Sequence, residues 1–350
     1  MKITVESFTV HKKFALKISR GTTAQTTNIW LRLNQEGIEG WGEASPFSID
    51  KGKPKDTIEL LKELETAIPQ LESYHPLQRQ EINAKLDRLN LSSAARAAVD
   101  IALYDWLGKK ANLPLWQLLG LNCDRIVPIS VTIGIGTPEA AVKRLQDWQN
   151  TLDVKTIKLK LGSPEGIEAD KAMLKAVCDA APKTKLTIDA NGGWNFESAV
   201  VMSQWLAKHD VEYIEQPLAV SDDDKLQTLS QKSPLPIFVD ESCFNSADIP
   251  RLANSVAGIN LKIMKTGGLT EAIRAIQIAK ACNLKIMFGC YSDSSLANTA
   301  MAHLAPYADY LDLDSHLNLT DDPFLGATIQ AGRLLPNHRS GLGVKHNAYG

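Results

Sequence analysis

From about residue 126 onward, short β-branched runs alternate with amphipathic helical stretches, and no other feature of the chain narrows its fold so far. The runs fall at 126–133, 155–161, 184–190, 211–216, 235–240, 256–263, 284–289 and 308–314. Eight such runs with seven clear helical stretches between them predict a parallel α/β barrel, a modified (β/α)8-type, TIM-like architecture. An open doubly wound sheet is the rival, and a Gly-rich phosphate loop after its first strand would favour it. The first run does end in Gly134-Ile135-Gly136, but Thr137-Pro138-Glu139-Ala140 does not complete a GxGxxG. The barrel is the better reading.

Before the barrel the order changes to strands followed by helices, as in an α+β module. Residues 2–10, 26–34 and 37–43 have strand character, with turn residues Gly37 and Gly40 in the third. Residues 54–71, 75–89 and 92–119 read as helices, with Ser92 or Ser93 capping the last. The expected division is a capping domain over 1–120, a barrel over 121–315 and a segment over 316–350 that returns to the cap.

Strand parity then singles out the charged residues. In Ile157-Lys158-Leu159-Lys160-Leu161 the apolar set faces the helices, so Lys158 and Lys160 point into the barrel. The same phase in Ile259-Asn260-Leu261-Lys262-Ile263 turns Asn260 and Lys262 inward and leaves Lys265 past the strand with opposite parity. Three strands between these two end in carboxylates: Asp189, Glu215 and Asp240. Successive members of the five-residue series are 22 to 29 residues apart, one β/α unit each. All five therefore belong at the C-terminal mouth of consecutive strands, where barrel enzymes keep their chemistry. Singly, a Lys-Leu-Lys is a solvated strand face and a strand-ending Asp is a helix cap. In register on five strands they call for another explanation. Three neighbouring carboxylates repel unless a cation neutralises them, and oxygen-only ligands suit Mg²⁺ better than zinc.

The bulk numbers exclude other partners. With 38 basic and 40 acidic residues the net charge is -2, so no field draws the chain to nucleic acid or to a membrane surface. No stretch approaches the ~20 apolar residues of a membrane span. The N-terminus alternates like a strand and does not resemble a signal peptide. The five cysteines are scattered without CxxC spacing, as in a reduced, cytoplasmic protein. The seven histidines form no HxxxH pair and end no barrel strand.

A cation chelating a substrate carboxylate would stabilise the charge formed when the adjacent carbon loses a proton. A lysine lowered in pKa by that cation and by Lys158 is a suitable base. Lys160 and Lys262, separated by the three carboxylate strands, would approach the substrate from opposite faces, which permits racemisation or epimerisation.

Together, Lys158-Leu159-Lys160, Asp189-Ala190-Asn191, Glu215-Gln216-Pro217, Asp240-Glu241-Ser242, Lys265-Thr266-Gly267-Gly268 after Lys262, and Gly40-Trp41-Gly42-Glu43-Ala44 resemble the muconate-lactonizing subgroup of the enolase superfamily. The resemblance covers the whole chain. It implies a Mg²⁺ site on Asp189, Glu215 and Asp240, with Lys160 and Lys262 as acid/base catalysts and Lys158 stabilising the enolate. Asp312-Leu313-Asp314 is similar to the Asp-x-Asp with which dipeptide epimerases hold the substrate's α-ammonium. Ile18-Ser19-Arg20-Gly21-Thr22 is similar to the loop whose arginine meets the second side chain in Ala-Glu epimerases, although Arg20 is equally readable as a surface residue. The resemblance thus implies a dipeptide epimerase, with L-Ala-D/L-Glu from peptidoglycan as a candidate substrate, and assembly into a homo-oligomer. The alternatives are an o-succinylbenzoate synthase or cycloisomerase on the same site, and a non-catalytic barrel. Asp293 stands where many relatives have Glu and receives no catalytic role. Segment 45–53 is expected to be a lid over the site.

Overall fold

The computed structural model describes residues 1–47 and 55–347. Most of the expected lid, residues 48–53, lies outside the described residues. The chain begins with an antiparallel sheet of β1 (Lys2–Ile18), β2 (Gly21–Gln35) and β3 (Ile38–Ala44). Helices α1 (Thr57–Leu71), α2 (Arg79–Leu89), α3 (Ser93–Lys110) and the single turn α4 (Leu115–Leu118) follow. The expected helix over 92–119 is broken because Asn112 adopts φ 53° and Pro114 disfavours helix in the residue before it.

The barrel strands are β4 (Ser130–Ile133), β5 (Thr156–Lys160), β6 (Lys185–Asp189), β7 (Val211–Glu215), β8 (Ile237–Val239), β9 (Gly258–Lys262), β10 (Lys285–Gly289) and β11 (Tyr310–Asp312). They pair in parallel in chain order. A single parallel bridge, Ile129 to Leu311, joins the two ends of the sheet, and Ser130 Oγ donates to Leu311 O at 3.3 Å beside it. Interleaved helices are α5 (Pro138–Gln149), α6 (Ile167–Ala180), α7 (Phe196–Leu206), α8 (Leu226–Lys232), α9 (Ile249–Leu252), α10 (Ile263–Thr266), α11 (Leu269–Ala281) and α12 (Ser295–Leu304). None of the described helices is long and apolar enough to cross a membrane.

Two differences from the expected elements bear on the site. The β1–β2 hairpin runs well past residue 10, and its register shifts between His11 and Leu16. At ~3.3 Å per residue, 17 residues of β1 carry the hairpin tip across the barrel mouth. There Lys17 O accepts from Ile135 N at 2.8 Å and Ser19 Oγ donates to Asn191 O at 3.1 Å. The second difference follows Lys262, where the chain turns into α10 instead of extending to Ile263. Gly267, with φ 73°, ends that turn and lets Lys265 swing back toward β8.

Helix α3 is buried almost all round. Its alanines let β3 approach so closely that a Cβ on Gly42 would fall on Ala98 O. On its other side Asp100 accepts from Thr270 N (2.9 Å) and Oγ1 (2.5 Å) at the start of α11. The cap is thereby fastened to the barrel through a polar pair, and not through apolar contact alone. The C-terminal segment adds short strands that no periodicity announced: β12 (Phe324–Leu325), β13 (Thr328–Gln330), β14 (Arg333–Leu335) and β15 (Lys345–His346). β12 pairs with β15, His346 stacks on Trp41 of the cap at 5.4 Å, and Phe324 meets Trp41 edge-on.

Candidate active site

Strand parity does what the sequence reading expected. Lys158, Lys160, Asp189, Glu215, Asp240 and Lys262 are all buried at the C-terminal ends of β5 to β9 and their first following residues. The adjacent register partners Lys160↔Asp189 and Asp189↔Glu215 bring these ends level.

The ammonium groups lie among the carboxylates. Lys160 Nζ donates to Asp189 Oδ2 at 2.5 Å. Lys158 Nζ is 2.6 Å from Glu215 Oε2, 2.7 Å from Asp312 Oδ2 and 3.2 Å from Asp189 Oδ2. Lys262 Nζ is 2.7 Å from Asp240 Oδ2 and sits 4.3 Å from the Tyr291 ring centroid. Each of the three carboxylates has at least one oxygen drawn to an ammonium, and no three acidic, histidine or cysteine groups gather into a preassembled metal cluster among the described residues.

The donor set nonetheless fits a hard divalent cation. Burial, and next the charge of Asp189, push Glu215 up to about 7. Its Oε2 is close to Lys158 but accepts no well-aligned hydrogen bond. Burial opposes ionisation of Asp189 too, yet Lys160 and Lys158 hold it down to about 2. Asp240 is held far below the ordinary range, against burial, by Lys262 and Lys265. Three buried oxygen donors from adjacent strands, one of them protonating near neutrality because it is buried beside another charged carboxylate, are what a Mg²⁺ ion would relieve.

The lysine expected to be lowered in pKa by a bound cation is, with its carboxylates free to pair with it, held the other way: Lys262 stands well above its ordinary value, because Asp240 and Tyr291 outweigh burial. Lys158 is raised likewise by Asp312, Glu215 and Asp189 against burial. The ammonium–carboxylate pairing is the physical reason.

Asp312 and Asp314 do come together, although Asp314 lies beyond β11 in a helical conformation instead of on the same strand face. Asp312 Oδ1 accepts from Ser130 Oγ (3.1 Å) and Thr132 Oγ1 (3.3 Å), and Asp314 Oδ2 accepts from Thr132 N at 2.7 Å. Burial and Asp312 raise Asp314 to about 6. Arg20 reaches the site but is already engaged. Its Nη1 donates to Asn191 O at 2.6 Å and its Nη2 to Glu241 Oε1 at 2.7 Å.

Sequence reasoning missed the residues that orient these groups. Lys265 Nζ donates to Asp240 Oδ1 (2.6 Å) and to the carbonyls of Asp240, Cys243 and Asn260. It is a fully satisfied tether, which leaves Lys262 as the lysine facing the cavity. Asn260 Nδ2 donates to Glu215 Oε1 at 2.7 Å, and Asn191 N to Asp189 Oδ1 at 2.8 Å. The signal for Asn191 and Gln216 was their place directly after, or one residue after, a strand-end carboxylate. Both have positive φ, 45° and 38°, which folds them back over the strand ends. Asp293 is buried and accepts from Tyr291 N at 3.1 Å.

Comparison with known proteins agrees with this layout. Residues 2–120 match the family model for the mandelate racemase / muconate lactonizing enzyme N-terminal domain, and residues 140–349 match the enolase C-terminal domain-like family. A hydrophobic dipeptide epimerase from Flavobacteria bacterium (strain MS024-2A) is 43% identical, covering 98% of both chains. An L-Ala-D/L-Glu epimerase from Bacteroides thetaiotaomicron is 30% identical over 98% of this chain and 88% of its own. The crystal structure of a dipeptide epimerase from Enterococcus faecalis V583, complexed with Mg and L-Leu-L-Tyr, superposes with a TM-score of 0.91 at 32% identity over 99% of each chain. Over both cap and barrel, the chain belongs to the mandelate racemase / muconate lactonizing enzyme family, with its enolase-like C-terminal domain.

Proposed function

We propose that the protein is a Mg²⁺-dependent dipeptide epimerase that moves a proton off and onto the α-carbon of the dipeptide's C-terminal residue. The observation that carries this reading is the placement of Lys160 and Lys262 on opposite flanks of the three carboxylates, one against Asp189 and one against Asp240. Asp189, Glu215 and Asp240 would hold the ion. When bound, Mg²⁺ offsets the negative charge that grows on the substrate carboxylate as the α-carbon loses its proton. One lysine, as the free amine, takes the α-proton from its face, and the ammonium of the other returns a proton from the opposite face. Lys158, pinned by three carboxylates, supplies fixed positive charge beside the reacting carboxylate. Asp312 and Asp314 receive the substrate's α-ammonium.

The second residue's side chain would enter the cavity of about 470 Å³ beside Lys160 and Lys262, where Leu16, Ile18, Pro46, Phe47 and Tyr291 supply apolar wall. Phe47 and Tyr291 stack there at 4.6 Å. Arg20 borders the same cavity, but Glu241 already offsets its charge, so an apolar second residue suits the wall better than Glu. The unpaired state of all five cysteines suits a reducing compartment, and the reading places the protein in the cytoplasm.

The test is α-proton exchange in D₂O, followed by NMR on a panel of dipeptides that includes L-Ala-L-Leu and L-Ala-L-Glu. Exchange at the second residue is expected, with loss on adding EDTA and return on adding Mg²⁺. No exchange for any dipeptide would sink the reading.

A further inference from the structure

A second cavity, of about 190 Å³, opens from Lys160 past Asp312 and Asp314 and runs outward between the cap hairpin and α5. Three cations line it without a carboxylate partner among the described residues: Lys17, which is exposed, and Lys12 and Arg144, which are partly buried. Lys12 Nζ makes no hydrogen bond or ion pair among the described residues, although the side chain is more than half buried. Arg144 makes no ion pair among the described residues either. Its guanidinium lies 3.7 Å from the Phe14 ring centroid and 4.2 Å from that of Trp148, so two aromatic rings pack on it. Its N–H groups have one hydrogen bond among the described residues, from Nη2 to Asn318 Oδ1 at 3.3 Å. Burial lowers the pKa of both groups, and the charges that oppose it act only at longer range: Asp314 on both, Asp293 on Lys12 and Asp147 on Arg144.

Charges placed at such a cost are ordinarily paired. The cations of the candidate active site are: Lys158, Lys160, Lys262, Lys265 and Arg20 each touch a carboxylate. A dipeptide in the pose proposed above would sharpen the imbalance. Its carboxylate goes to the metal and its α-ammonium to Asp312 and Asp314, which withdraws Asp314 from Lys12 and Arg144 and leaves them Asp293 and Asp147 at longer range. The one remaining part of the substrate that enters this cavity is placed to supply the missing negative charge. Resting on the dipeptide reading, we infer that Lys12 and Arg144 form a subsite for an acidic side chain on the dipeptide's first residue, with Arg144 presenting its N–H rim to the carboxylate. Phe14 and Trp148 hold the guanidinium plane so that the rim points into the cavity.

The test compares L-Glu-L-Leu with the near-isosteric L-Gln-L-Leu, reading kcat/KM for epimerisation of the leucine. The Mg²⁺-loaded wild-type enzyme is expected to favour Glu over Gln by at least about tenfold, as charge-assisted recognition by a partly buried fork implies. In Lys12→Met and in Arg144→Met the Glu:Gln ratio is expected to fall to below about threefold. Each variant is judged by its own ratio, so a general loss of activity does not move the readout. If a variant does not fold, the wild-type ratio alone decides. Equal use of Glu and Gln by the wild type, or a ratio that survives both substitutions, overturns the inference. Equal use with L-Ala-L-Leu still exchanged overturns this subsite alone, whereas no exchange with any dipeptide overturns the proposed function.

Discussion

Lys158 and Lys160 stand two residues apart on β5, yet their surroundings assign them different tasks. Lys158 is clamped by three carboxylates and is held charged, while Lys160 touches one carboxylate and lines the cavities on both sides of the site. A clamped ammonium can stabilise charge but cannot move. A singly held one can exchange a proton with a substrate. If Lys160 and Lys262 serve opposite faces, Lys160→Ala and Lys262→Ala should each lower epimerisation by roughly 10²–10⁴-fold, the usual weight of a positioned acid or base. Each variant should also keep residual α-proton exchange on only one epimer of the substrate, and on opposite epimers. Exchange by NMR from the separate L,L and L,D dipeptides checks this; retention on the same epimer in both variants would refute the two-face assignment. Parity along β5 and β9 was enough to find these lysines, because side chains alternate with period two whatever the partner. The same rule could not find Lys265, whose inward path depends on the α10 turn and Gly267.

At the scale of the element, β3 shows how local pattern and packing diverge. Gly37 and Gly40 both read as turn residues. Gly37 is one, with φ 73°. Gly40 lies inside β3, where a Cβ would meet Ala102 O at 2.2 Å, and Gly42 does the same against Ala98 O at 1.9 Å. These glycines set the distance between the sheet and α3, and the constraint comes from a helix more than fifty residues away. Gly42→Ala should therefore destabilise by about 1–3 kcal/mol or more, since the obstacle is backbone that cannot rotate aside. Urea unfolding monitored by circular dichroism measures it. An unchanged midpoint would mean that β3 and α3 separate freely. The β1–β2 hairpin was under-read for a related reason. Its distal half packs on the polar barrel mouth and carries little of the apolar alternation that announces a strand.

Across the whole molecule, cap and barrel meet through buried polar groups. Glu43 of β3 is wholly buried and accepts from Ser294 N (3.0 Å), Ser294 Oγ (2.5 Å) and Ala297 N (3.1 Å) at the start of α12. Asn28 Nδ2 and Ser45 Oγ donate to it from the cap side, at 2.8 Å and 3.2 Å. Burial, and then the charge of Asp293, raise this carboxyl from 4.5 to about 7. A raised acid holds its proton in the folded state after the unfolded chain has lost it. Its contribution to stability thus declines as pH rises from 4.5 to 7, by an amount on the order of 1–3 kcal/mol. Thermal melts from pH 4.5 to 7.5 should show a steeper loss for the wild type than for Glu43→Gln, which has no proton to hold. Parallel pH profiles would show that Glu43 ionises normally.

The order and parity of the strands came from the sequence alone, and with them the barrel, the candidate metal carboxylates and the two facing lysines. Periodicity is a local property, and each β/α unit repeats it without reference to the rest. What the tertiary structure decided is which charges meet. Arg20 and Glu241 are 221 residues apart, and they pair only because a long hairpin lands on the barrel mouth. Lys12 and Arg144 face one cavity unpaired for the same reason. Electrostatic neutralisation depends on distance through space, and no pattern along the chain encodes it.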